Sequence, residues 1–178
     1  MKSKIFFQIF LLIAISLIFR NISVARGKEI QYLRDGISFS LPQGWKIIAN
    51  DSIGKNAYYF SAENSEPKAT GLITVTWLNE IKNPLETLIM HQKTMKISNI
   101  YRNPGIEFTS AIPEKFIGFS AQSCIYTTIV KEQKLEGVIY CFNSSQKTIT
   151  IFFQTGLNDK KLNKKVLELF KITFNCRD

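Results

Sequence analysis

Residues 121–155 read AQSCIYTTIVKEQKLEGVIYCFNSSQKTITIFFQT, and this stretch decides the fold. Three runs rich in β-branched and aromatic residues, 121–130, 135–142 and 148–155, alternate with short polar breaks at 131–134 and 143–146. Val, Ile, Thr, Tyr and Phe suit a pleated, half-buried surface, and breaks this short suit hairpins. A crossover between parallel strands needs a dozen or more residues, so these strands must run antiparallel. The stretch predicts a β-meander that Gly156 brings to an end.

Upstream, Gly36-Ile37-Ser38-Phe39-Ser40-Leu41-Pro42 alternates apolar and polar with period two, as a half-buried strand does. Pro42 closes it, Gly44 allows a tight turn, and residues 45–48, 57–62 and 72–78 predict three further strands. Segments 105–108 and 112–116 add more strand material. Two helices punctuate the sheet. Asn83 caps the first, Pro84 takes its first helical position, and Leu85, Leu88, Ile89, Gln92 and Met95 fall on one face. Asn158 or Asp159 caps the second, with Leu162, Val166, Leu169 and Phe170 on its apolar face and Lys160, Lys161, Lys164 and Lys165 largely opposite. The expected class is α+β: an antiparallel, meander-rich sheet covered by two amphipathic helices in an α/β/α sandwich.

The run Asp35-Gly36-Ile37-Ser38-Phe39-Ser40-Leu41-Pro42-Gln43-Gly44-Trp45 resembles the opening of domains with the PsbP-like fold, which also includes bacterial DcrB-type proteins. Residues 148–152, Asn158-Asp159 and Leu169-Phe170-Lys171-Ile172-Thr173-Phe174 are similar to the ending of such domains. The resemblance spans residues 32–175. It implies a sheet between helices, and proteins that bind or assist rather than catalyse. DcrB-type relatives are cell-envelope proteins. Some plant PsbP proteins carry metal-binding histidines, but the meander here holds none, so that trait does not carry over.

At the N-terminus, Lys2 and Lys4 precede an apolar run from Ile5 to Phe19, interrupted only by Gln8 and Ser16. Ser23 and Ala25 then place small residues where a signal peptidase reads. The expectation is a signal peptide over 1–25, cleavage between Ala25 and Arg26, and one exported domain over 26–178, periplasmic or secreted. The run has fifteen residues, against the ~20 of a membrane-spanning helix. An uncleaved anchor is the alternative. No cysteine follows the run, which argues against a lipid anchor. The remaining 153 residues suffice for one independent core.

Lys2, Lys4 and Arg20 leave with the signal and no acid does, so a net charge of +9 becomes +6. Such a surface favours acidic partners or anionic headgroups, which allows peripheral membrane contact, although scattered charge of this size also serves solubility. Export argues against nucleic acid as a partner.

His91 is the only histidine, at the boundary of its helix's apolar face and with no acid one turn away to orient it. There is no Cys-x-x-Cys, no histidine pair and no Gly-rich phosphate loop. No catalytic residue, cofactor or metal site is expected.

Three cysteines, Cys124, Cys141 and Cys176, lie in the last third. A turn centred between Glu132 and Gln133 would set Cys124 directly opposite Cys141, at about 4.5–5.5 Å between Cα atoms, within disulfide range. A Cys141–Cys176 bridge and three free thiols are the rivals. The leading functional expectation is a non-enzymatic exported domain binding a protein or envelope component. An exported hydrolase using carboxylates or Cys176, and a small-molecule or lipid carrier, are the alternatives.

Overall fold

The computed structural model describes residues 29–66, 69–101, 105–144 and 146–177. The signal peptide and its Ala25–Arg26 junction lie outside the described residues. Strands β1 (Ile30–Arg34) and β2 (Ile37–Leu41) pair antiparallel, and β11 (Asn175–Cys176) adds to β2, forming a small sheet at the two ends of the described chain. The large sheet has the order β3 (Trp45–Ile53), β4 (Ala57–Asn64), β5 (Leu72–Leu78), β10 (Thr148–Gly156), β9 (Gln133–Asn143), β8 (Phe119–Val130), β6 (Ile106–Phe108). Strand β7 (Ile112–Phe116) also pairs with β8, and every strand pair is antiparallel. Helix α1 (Pro84–Ile97) follows β5, and α2 (Lys160–Thr173) follows β10. The chain is thus an antiparallel, sheet-rich α+β protein, as the meander predicts. No helix among the described residues is long and apolar enough to cross a membrane.

Strand β10 is buried along its whole length, because it lies between β5 and β9. Its successive residues point to opposite sides, as period two demands. Ile149, Ile151 and Phe153 join a core with Phe39, Phe60, Val166 and Phe170, while Phe152 joins a second core with Leu88, Met95, Tyr126 and Cys141. Helix α2 contributes to the first core and packs on β2 and β10; α1 contributes to the second and packs on β6, β8, β9 and β10.

The structure corrects several expectations. The β8–β9 hairpin is closed by two residues, Lys131 and Glu132, both with positive φ (47° and 66°), so Val130 pairs with Gln133. Two positive φ values are what a type I′ hairpin turn requires, though Asn-Gly normally supplies them. The shorter turn shifts the register by two. Cys124 therefore faces Ile139, Cys141 faces Gln122, and the two thiols lie on a diagonal instead of directly opposed. Diagonal neighbours sit about 7–8 Å apart, beyond ordinary disulfide geometry. Cys124, Cys141 and Cys176 are all free.

Asn83 caps α1 as expected, its Oδ1 accepting from the backbone N–H of Leu85 at 2.9 Å and of Glu86 at 3.4 Å. The buried face is narrower than the spacing suggests, however. Leu88 and Met95 are buried, whereas Leu85 and Ile89 are exposed. On α2 the apolar stripe is rotated: Asn163, Val166, Leu167 and Phe170 are buried, and Leu162 faces outward.

Candidate functional site

The sheet brings together residues that the sequence singles out one by one. Cys124 on β8 and Cys141 on β9 share the core beneath α1, the helix that carries His91. The His91 ring lies 6.3 Å from the Phe152 ring, centroid to centroid. Tyr126 stacks on Phe152 at 5.1 Å, and Tyr126 and Tyr101 both donate to Gln154 Oε1 at 3.2 Å.

The electrostatics of this cluster oppose nucleophilic chemistry. Burial pushes the Cys141 thiol up to about 12, against a weaker lowering by its contact with Thr150 Oγ1 at 3.4 Å. Burial likewise raises Cys124, and burial lowers His91. A reactive cysteine needs a depressed pKa and a neighbouring cation. Here both partners are held neutral. We expect Cys124 and Cys141 to resist alkylation in the native protein and to react at once on unfolding, while the half-buried Cys176 reacts first. Mass mapping of alkylated peptides checks this, and a recovered Cys124–Cys141 bridge would overturn the diagonal register.

A second, polar constellation lies at the start of α2. Asp159 sits at the N-cap position, yet its side chain makes no cap bond. It reaches instead to the segment before β5, accepting from Thr70 N at 2.8 Å and Thr70 Oγ1 at 2.6 Å. Thr70 Oγ1 also accepts from the Gly156 backbone N–H. Asn163 Nδ2 donates to Thr155 Oγ1 at 2.9 Å, while Asn163 Oδ1, buried against Gly71, has no hydrogen-bond partner. Burial alone would raise the Asp159 pKa; hydrogen bonds from Thr70 outweigh it and hold the carboxyl below its usual value.

This clamp forms one wall of an open cavity of about 480 Å³, lined also by Glu66, Glu132, Lys134 and Leu162. A smaller cavity of about 340 Å³ shares Lys134 and Leu157 with it. Beyond lies the Lys160–Glu136 ion pair at 2.7 Å. Sequence reasoning offered Asn158 or Asp159 as the cap but missed Thr70, Thr155 and Asn163, which only the fold brings to Asp159. A carboxylate this fully hydrogen-bonded stays ionised and is neither a free base nor a general acid near neutrality.

The Asp159 clamp carries a pH signature. A carboxyl whose folded pKa lies below the unfolded value of ~3.9 adds stability that is complete above that value and is lost as pH falls toward the folded pKa. Thr70→Val removes the hydroxyl donor while keeping the shape. It should lower stability at neutral pH by about 1–2 kcal/mol and shrink the acid-induced loss below ~4. Denaturant titrations at several pH values read both effects, and an unchanged acid limb would sink the assignment.

No family model matches the chain, and no curated protein sequence does. Solved structures do. The cyanobacterial PsbP (CyanoP) of Synechocystis sp. PCC 6803 is similar with a TM-score of 0.61 and 13% identity, over 87% of this chain and 96% of that one. LpqN of Mycobacterium tuberculosis, involved in cell envelope biogenesis, is similar with a TM-score of 0.55 and 13% identity, over 85% and 91% of the two chains. At such identity the likeness concerns the fold alone. The fold of this chain is PsbP-like.

Proposed function

We propose that this chain is an exported, non-enzymatic domain that assists in the cell envelope by binding another component, with residues 1–25 as its signal peptide and 26–178 as one domain. One observation carries the reading. The side chains best suited to chemistry are held in unreactive states: the Cys124 and Cys141 thiols are raised by burial, the sole imidazole is lowered by burial, and Asp159 is consumed by Thr70. These states fit a chain that acts by presenting a surface rather than by nucleophilic attack through Cys124, Cys141 or His91. The PsbP-like fold and the involvement of LpqN in cell envelope biogenesis agree with this reading. So does a three-layer α/β/α arrangement, supported by the two cores that alternate residues of β10 supply to α1 and α2.

Two measurements test the proposal together. Cross-linking in the native envelope, followed by mass spectrometry, identifies what the protein contacts. In parallel, a His91→Gln/Cys176→Ser variant removes the single imidazole and the most accessible thiol. The cellular role should survive in this variant. Loss of the role with an unchanged thermal midpoint would put a hydrolase in first place. His91→Gln should also reduce acid sensitivity, because a histidine lowered by burial leaves stability intact above ~6.5 and erodes it as pH falls below.

A further inference from the structure

Helix α1 carries apolar side chains on its outer side as well as its inner one. Its inner side buries Leu88 and Met95, yet Leu85, Ile89, Met90 and Ile97 are exposed, Met90 and Ile97 by 68% and 74%. Ile81 just before the helix and Ile100 just after it are exposed as well. Six of the seventeen exposed large hydrophobics among the described residues thus fall within 81–100. An ordinary surface helix has a polar outer side, and a contiguous exposed apolar patch marks a binding surface.

The chemistry of the patch selects its occupant. Leu85 and Ile89 lie one turn apart, as one stripe; Met90 and Ile97, two turns apart, form another. Lys93 sits between them, one turn from Ile89, Met90 and Ile97. Lys93 has no ion-pair partner among the described residues, and Lys96 lies 5.7 Å over the Phe108 ring. Glu86 is the one acid on the outer arc, and the nearby Glu80 is neutralised by Lys82 at 3.1 Å. The patch is aliphatic and carries lysine, with no exposed Trp, Tyr or Arg on the helix. Protein–protein hot spots favour Trp, Tyr and Arg, and their cores are depleted in Lys. Helices that lie in a bilayer interface tolerate lysine beside apolar side chains, which enter the acyl boundary while lysine stems extend to lipid phosphates. The net charge of +6 left after removal of Lys2, Lys4 and Arg20 with the signal adds long-range attraction of the same sign.

From this we infer that the outer side of α1 docks shallowly on an anionic lipid surface, with Leu85, Ile89, Met90 and Ile97 entering the interface and Lys93 and Lys96 meeting headgroup phosphates. The inference rests on the accessory, envelope-binding reading and names the component bound.

A reporter placed on the helix tests it in the full chain. The native tryptophans, Trp45 and Trp77, are buried, so difference fluorescence isolates an added indole. Ile97→Trp should shift to the blue on vesicles containing phosphatidylglycerol. It should also be quenched by brominated lipid roughly twofold or more above Ile172→Trp, a 79% exposed position on α2. Adding Lys93→Glu and Lys96→Glu to Ile97→Trp should weaken that binding roughly tenfold or more. Equal quenching of the two reporters, or equal quenching of Ile97→Trp on pure phosphatidylcholine, would overturn the inference. A protein cross-linked through Lys93 without lipid quenching would overturn it too, while leaving the accessory reading in place.

Discussion

Gly137→Ala should cost about 3 kcal/mol or more of folding stability, a large loss for the addition of a single methyl group. Gly137 pairs across the β8–β9 ladder with Tyr126, whose ring lies over the position a side chain would occupy. A Cβ built there collides with the Phe153 carbonyl oxygen and with the Tyr126 ring and hydroxyl. The backbone of β10 cannot yield, because it is hydrogen-bonded to β9 on one side and β5 on the other. Tyr126 can yield only by leaving Phe152, on which it stacks, and Gln154, to which its hydroxyl donates. Overpacking of this kind typically costs about 1–3 kcal/mol, and here the loss of a buried hydrogen bond of about 1 kcal/mol is added. For a domain of this size the thermal midpoint should fall by roughly 6–12 °C. A fall smaller than about 2 °C would mean that Tyr126 does not occupy the groove over Gly137.

Phe39→Ala should lose about 3–5 kcal/mol, as large buried aromatics do when truncated. Phe39 is 2% exposed and joins three parts of the molecule. Its ring stacks on Tyr32 at 4.8 Å within the small sheet, meets Phe60 of the large sheet edge-on at 5.0 Å, and reaches Phe170 of α2 at 4.8 Å. Truncation opens a void shared by all three, in the core where Tyr32, Ile37 and Leu41 also anchor the small sheet. Leu33→Ala, on the same small sheet but 77% exposed, is the control and should change stability by less than about 0.5 kcal/mol. Equal effects of the two would show that the small sheet does not depend on Phe39 for its docking. Hydrogen exchange should then find β1 and β2 opening together in Phe39→Ala while β10 stays protected.

What could be read from the sequence was local. The meander, the Asn83 cap with Pro84 behind it, and the ending of β10 at Gly156 each depend on neighbours within a few residues. β1, the small sheet in which β1 and β11 flank β2, and the rotated stripe of α2 were not legible in the same way. Asn163 reads as a surface residue, yet it is fully buried because Thr155, eight residues earlier, waits on β10 to accept its amide. The Thr70–Asp159 clamp joins residues 89 positions apart, and no spacing rule connects them.

The cysteine register shows most plainly where local reasoning stops. Nothing about Lys131-Glu132 advertises a two-residue turn, since residues with a Cβ resist positive φ by roughly 1–2 kcal/mol each. The turn forms because it brings β8 and β9 into the pairing that puts Tyr126 over Gly137 and Ile139 beside Cys124 in the core under α1. The sequence by itself determined the alternation, the Asn83 cap and hence the antiparallel α+β class, because those follow from backbone geometry over a few residues. Only the tertiary structure decided which residues the thiols face, which polar groups clamp α2, and which side of α1 is left exposed. Those outcomes depend on packing free energy summed over strands distant in sequence, which outweighs the local preference of any one turn.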